Sequence, residues 1–157
     1  MAQKGFTLIE LMVVIAVLAV VVSLAAPSFS AILQDNRAAS VGEDLQGALQ
    51  YARSEAVKRR QNVQVCRRNA AGSNCEDGAD WSSGWLVKSA AGGVLKVWDS
   101  AQGLAVVGPS AGVTFRGNGL AAASSFSVQP TGCTGQQRRE VAVSVTGTST
   151  SSKAACQ

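Results

Sequence analysis

The sequence predicts an α+β fold in which one long N-terminal helix lies on an antiparallel β head. Three observations predict it. An unbroken apolar run stands near the N-terminus, an apolar stripe at helical spacing follows, and from about residue 62 the pattern changes to period two with frequent turn residues. The length of 157 residues suits a single domain. A hydrophobic fraction of 46% with only 15% charged residues excludes an intrinsically disordered chain. The chain contains no histidine, which removes the commonest general base and the commonest metal ligand and speaks against a hydrolase or a zinc enzyme.

The first element is the run from Phe6 to Ala26, 21 residues in which only Thr7, Glu10 and Ser23 are polar. As a helix it would measure about 30 Å, the thickness of a bilayer's hydrocarbon core. Val and Ile are abundant in it, yet a segment in lipid must satisfy its own backbone hydrogen bonds, so helix is the expected form. Lys4 is the one charged side chain before the run. The positive-inside rule then predicts a cytoplasmic N-terminus and an exported remainder. Glu10 is the anomaly, because a carboxylate within a span costs a few kcal/mol or more and marks a functional position by default. No Lys or Arg occurs in the next 26 residues, Arg37 being the first. Its counter-ion is therefore expected from another molecule or from an amine created by processing; the plain alternative is a glutamate that snorkels to the interface.

The second element, residues 27–61, continues the helical period. Phe29, Ile32 and Leu33 form one apolar turn, and Val41, Leu45, Leu49, Ala52 and Ala56 recur at three- and four-residue steps. Gly42 and Gly47 weaken this half by about 1 kcal/mol each relative to Ala, and either close packing or local melting would account for them. The third element, residues 62–157, reads as short strands at 63–66, 85–87, 94–98, 104–107, 113–115, 126–128 and 141–145. No second strong helical pattern intervenes, so the strands are expected to be antiparallel. Gly117-Asn118-Gly119 echoes a dinucleotide fingerprint but has no βαβ unit around it, and a turn is the better reading.

Gly5-Phe6-Thr7-Leu8-Ile9-Glu10, behind a short basic leader (residues 1–5) and ahead of the apolar run, resembles the processing site of type IV prepilins and pseudopilins. The resemblance implies cleavage after Gly5, N-methylation of the new terminal amine on Phe6, and an assembly role for Glu10, which would pair with a neighbouring subunit's terminal amine. Pro27 stands where that family commonly has a helix-kinking proline. Ser23-Leu24-Ala25-Ala26 imitates a secretory cleavage site only loosely. Leu49-Gln50-Tyr51-Ala52-Arg53-Ser54-Glu55-Ala56, Trp81-Ser82-Ser83-Gly84-Trp85 and Val113-Thr114-Phe115-Arg116-Gly117 look like the GspH/FimT family of minor pilins and pseudopilins, which implies a type IV pilin-like fold.

Cys66, Cys75, Cys133 and Cys156 all follow the apolar run, and an even number in an exported head implies disulfides, with three pairings open. Cys66–Cys75 is favoured because it closes a short loop. Cys133–Cys156 follows the pattern of the family that the chain resembles. Paired Cys-x-x-Cys knuckles are missing, so neither a metal nor a cofactor is expected.

Lys58-Arg59-Arg60, Arg67-Arg68 and Arg138-Arg139 would form a DNA-binding face if they converged. The plain alternative is a set of solvated surface charges. Relatives that capture DNA carry a Gly-Arg-x-Arg motif where this chain has Gly147-Thr148-Ser149-Thr150, so the resemblance shifts toward the FimU-like structural branch. The expected function is a non-enzymatic minor pilin that primes a type IV pilus and sits at its tip. DNA binding for transformation and a role as a minor pseudopilin of type II secretion are the alternatives. Implied partners are other minor pilins, the major pilin, the prepilin peptidase and an inner-membrane assembly platform. The implied location is the inner membrane with a periplasmic head, and then the pilus at the cell surface.

Overall fold

The structure is a computed structural model of the chain. It describes residues 6–99 and 101–157, with the helix backbone alone for residues 24–28. One helix, α1 (Leu8–Arg59), precedes eight strands: β1 (Val63–Arg67), β2 (Trp85–Ser89), β3 (Val94–Trp98), β4 (Leu104–Val107), β5 (Val113–Phe115), β6 (Ser124–Pro130), β7 (Arg138–Val143) and β8 (Ser149–Ala154). The chain divides into two compact units, Met1–Gln34 and Asp35–Gln157. In the first, the described side chains from Phe6 to Ser23 are exposed. Among the described residues no helix is long and apolar enough to cross a membrane.

The second unit begins at Asp35 rather than at residue 27, so the apolar turn of Phe29, Ile32 and Leu33 is not part of its core. Two antiparallel four-stranded sheets make up the head, in the orders β3-β2-β1-β5 and β4-β6-β7-β8. Leu45, Ala48, Leu49, Ala52 and Ala56 of α1 are fully buried in one cluster with Val65, Val87 and Phe115 from the first sheet and Phe126, Val128 and Val141 from the second. Trp81 meets Phe126 edge-on at 4.9 Å between centroids, a geometry that aromatic quadrupoles favour.

The segment before β2 covers the outer edge of β4. Trp81 N donates to Val106 O at 2.7 Å, and Val106 N donates to Ser82 Oγ at 3.1 Å. Asp80 fixes this cover, and the hydrogen bonds from Ser82, side chain first and backbone second, hold its carboxyl below the usual carboxylate range. Disulfides join Cys66 to Cys75 and Cys133 to Cys156.

Two expectations need correction. The last long strand runs from 138 to 143 rather than 141 to 145, and Val145 sits in the following turn, 63% exposed. A further strand, β8, has the sequence Ser-Thr-Ser-Ser-Lys-Ala, which carries no apolar alternation. It exists because it pairs with β7 from Val143↔Ser149 to Arg138↔Ala154, which only the fold brings together. Gly42 serves close packing, since a Cβ there would stand 3.3 Å from Arg139 Cβ, whereas Gly47 faces open space.

Leu49→Ala is expected to lower the urea unfolding free energy by about 2–5 kcal/mol, the usual loss for a buried leucine. Gly47→Ala, at an exposed helical site, is expected to raise it by about 1 kcal/mol. Circular dichroism during urea titration measures both. Thiol titration under denaturing, non-reducing conditions is expected to find no reactive cysteine; a value near four per chain would contradict both disulfides.

Candidate functional site at the start of helix α1 and the basic residues of the head

Thr7 caps α1. Its carbonyl accepts the first helical hydrogen bond, from Leu11 N at 3.2 Å. Its hydroxyl accepts from Glu10 N at 3.2 Å and donates to Glu10 Oε2 at 3.0 Å, while Thr7 N donates to the same oxygen at 2.9 Å. This is a capping box, Thr-x-x-Glu, which satisfies amides that a helix start leaves without partners. The sequence carries its signature in the spacing of Thr7 and Glu10, three residues apart. Both Thr7 bonds fall on Oε2; among the described residues Oε1 has no partner. Around it Phe6, Ile9, Val13 and Val14 line a shallow groove of about 300 Å³. The geometry therefore orients a carboxylate on an apolar helix surface, with both described bonds on one of its oxygens. Lys4 and Gly5 lie outside the described residues. So does the side chain of Pro27, although the helix backbone continues past it.

Most of the basic residues singled out in the sequence have separate partners, whereas Arg60 and Arg138 have none to their side chains among the described residues. Arg67 contacts Glu76 at 3.7 Å and donates to Asp77 O, and Arg68 donates to Ser83 O at 2.7 Å and approaches Asp99. Both thereby tie down the loop closed by Cys66–Cys75. Arg138 and Arg139 are consecutive on β7 and so point to opposite faces. Arg139 is buried and bonded to Asp35 of α1 at 2.6 Å, and Lys153 reaches the other Asp35 oxygen at 3.0 Å. Arg59 pairs with Glu55 at 2.6 Å, with Lys58 farther off at 3.8 Å. Arg60, at φ 51°, ends the helix. Three arginines outside the doublets, Arg37, Arg53 and Arg116, have no hydrogen bond or ion pair to their side chains among the described residues. Nothing in the sequence distinguished them from the arginines that are internally paired.

Residues 41–148 match the family model described as type II transport protein GspH, and residues 1–26 match the prokaryotic N-terminal methylation motif. The chain belongs to the GspH family. Two crystal structures of the type IV minor pilin FimU from Pseudomonas aeruginosa resemble it. One has a TM-score of 0.61 at 25% identity and covers 78% of this chain and 94% of FimU. The other has a TM-score of 0.58 at 28% identity and covers 75% and 96%. The minor pseudopilin EpsH from the type 2 secretion system of Vibrio cholerae has a TM-score of 0.50 at 16% identity, over 76% of this chain and 97% of EpsH, a likeness of fold alone. Curated proteins give no match. This GspH-family chain is a minor pilin or pseudopilin of the type IV pilus or type II secretion kind, a membrane-anchored subunit of a family that is generally not enzymatic.

Asp35→Ala is expected to destabilise the head by about 2–3 kcal/mol, because it leaves the buried Arg139 guanidinium without its counter-ion. The double variant Asp35→Ala/Arg139→Met, which removes both charges, is expected to recover most of that loss in the same denaturant titration.

Proposed function

We propose that the protein is a minor pilin of a type IV pilus, a non-enzymatic subunit that primes assembly and occupies the tip. The observation that carries this reading is the orientation of Glu10, held by Thr7 on an exposed apolar helix with Oε1 unpartnered among the described residues. In the proposed sequence a prepilin peptidase cleaves after Gly5 and the amine of Phe6 is methylated. The mature subunit stays in the inner membrane through residues 6–26, N-terminus inward and head in the periplasm. On assembly that helix passes from lipid into the filament core. There the charge of Glu10 is neutralised by the terminal amine of a neighbouring subunit, so that a carboxylate in an apolar setting gains a counter-ion. The capping box makes this contact specific, because the carboxylate has a set direction before the neighbour arrives. Similarity to the minor pilin FimU over most of both chains supports the pilus, with other minor pilins, the major pilin and an assembly platform as partners.

The fold of EpsH and the family's description favour a second reading, a minor pseudopilin of type II secretion. DNA capture has less support: Arg67, Arg68 and Arg139 are committed to internal partners.

Deletion is expected to abolish twitching motility while exoprotein secretion continues; the reverse outcome would favour the pseudopilin. Glu10→Ala is expected to reduce incorporation into pili about tenfold or more, the effect of losing about 1.4 kcal/mol, with the head still folded. Immunoblots of sheared pili and circular dichroism read the two quantities. Incorporation at the normal level in this variant would refute the role of Glu10.

A further inference from the structure

The net charge of the protein is +4, and the fold concentrates all of it in one place. Around the C-terminal end of α1 stand five bases, Arg53, Lys58, Arg59, Arg60 and Arg116, against a single acid, Glu55, which is buried and bonded to Arg59. Five against one leaves four, so the charged residues of the rest of the chain balance. Proximity is set by two turns that pack on the last helical turns. A Cβ at Gly119 would lie 3.1 Å from Val57 Cγ2 and 3.4 Å from Arg53 Nε. The Gly147 turn abuts Gly119 O, with Arg53 Nε again 3.1 Å from the Cβ position. Gly117, next to Arg116, rests on the Arg60 carbonyl.

Within this basic cap the surface is apolar. Val57 is 50% exposed, Leu120 42% and Val145 63%, and Ala121 N donates to Val145 O, which joins the two turns. An open groove of about 620 Å³ runs beside them, lined by Gln50, Arg53, Val57, Lys58 and residues 147–149, with no acidic residue in its lining. Bases in the last turn of a helix are explained in part by its dipole, which accounts for Lys58 and Arg59. It does not account for Arg53, nearly two turns earlier, or for Arg116 on another element.

We infer that this cap is the docking face for an acidic, apolar-centred surface of a neighbouring pilin-type subunit, a refinement that rests on the assembly reading above. Apolar residues ringed by like charges form the anatomy of a protein interface, with a dry centre and a steering rim. A nucleic acid would use the arginines but leave Val57, Leu120 and Val145 without a role, and no aromatic ring is present in the cap for base stacking. A second copy is a poor partner: two caps repel each other, and the remainder of its surface carries no excess negative charge. The occupant is therefore a different subunit with surplus carboxylates.

The test uses the full-length chain in detergent. The probes are the other proteins of the same organism that carry the N-terminal methylation motif, each purified full length, and a 20-base-pair DNA duplex. At least one of the proteins is expected to bind, and Arg53→Glu/Lys58→Glu is expected to weaken that binding about tenfold or more, as is raised salt. Val145→Asn, which changes no charge at an exposed site, is expected to weaken it as well. Unaltered circular dichroism melting of each variant shows that the head remains folded. Binding that ignores both variants overturns this inference and leaves the assembly role standing. Duplex binding lost in the charge-reversal variant overturns it in favour of nucleic acid. If no methylation-motif protein binds, the inference falls, and normal pili on deletion would remove the assembly reading separately.

Discussion

Leu45, Leu49 and the alanines beside them hold α1 against both sheets, and the later features of the head take their positions from that contact. Fully burying a leucine contributes about 1.5–3 kcal/mol, whereas the alanines mainly let the helix lie close. Gly42 brings α1 onto Arg139, near enough that any side chain there would have to displace it slightly. Asp35, on the helix flank that faces β7 and β8, then meets Arg139 and Lys153. Farther along that flank Gln46 donates to Ser149 O at 3.0 Å and anchors the edge strand β8. One packed stripe thus determines which polar groups of the helix have partners and which remain open.

That distinction decides what the charges do. Near Asp35 and near the Cys66–Cys75 loop, arginines neutralise carboxylates or satisfy carbonyls, and their role is structural. At the end of α1, two turns crowd the helix without providing acids, so positive charge accumulates there. The same chain carries a different device at its start, where a carboxylate is aligned by a threonine on an apolar surface. Both are incomplete electrostatic arrangements, and an assembly subunit is the kind of protein in which a neighbour would complete them.

Periodicity identified the helix and seven of the eight strands, because burial on one face imposes a repeat of 3.6 or 2 that survives in the residue order. Strand β8 left no such trace: its residues are mostly hydroxylic and exposed, and its place is set by pairing with β7. The turn that holds Val145 has a strand-like sequence for the opposite reason, since apolar alternation continues past the point where the chain reverses. The capping box was legible as Thr7-x-x-Glu10, but its meaning depends on knowing that α1 begins at Leu8.

By itself the sequence determined the family, the fold class, the helix and the position of the one carboxylate in the apolar run, because each is encoded in local spacing. It also supplied the total of +4. Only the tertiary structure decided where that charge resides. Arg67, Arg68 and Arg139 are consumed by internal partners, while Arg53 and Arg116, 63 positions apart, stand at the same end of α1 with no partner among the described residues. Charge neutralisation acts through space over a few ångströms, and residue order does not record which acid will stand beside which base.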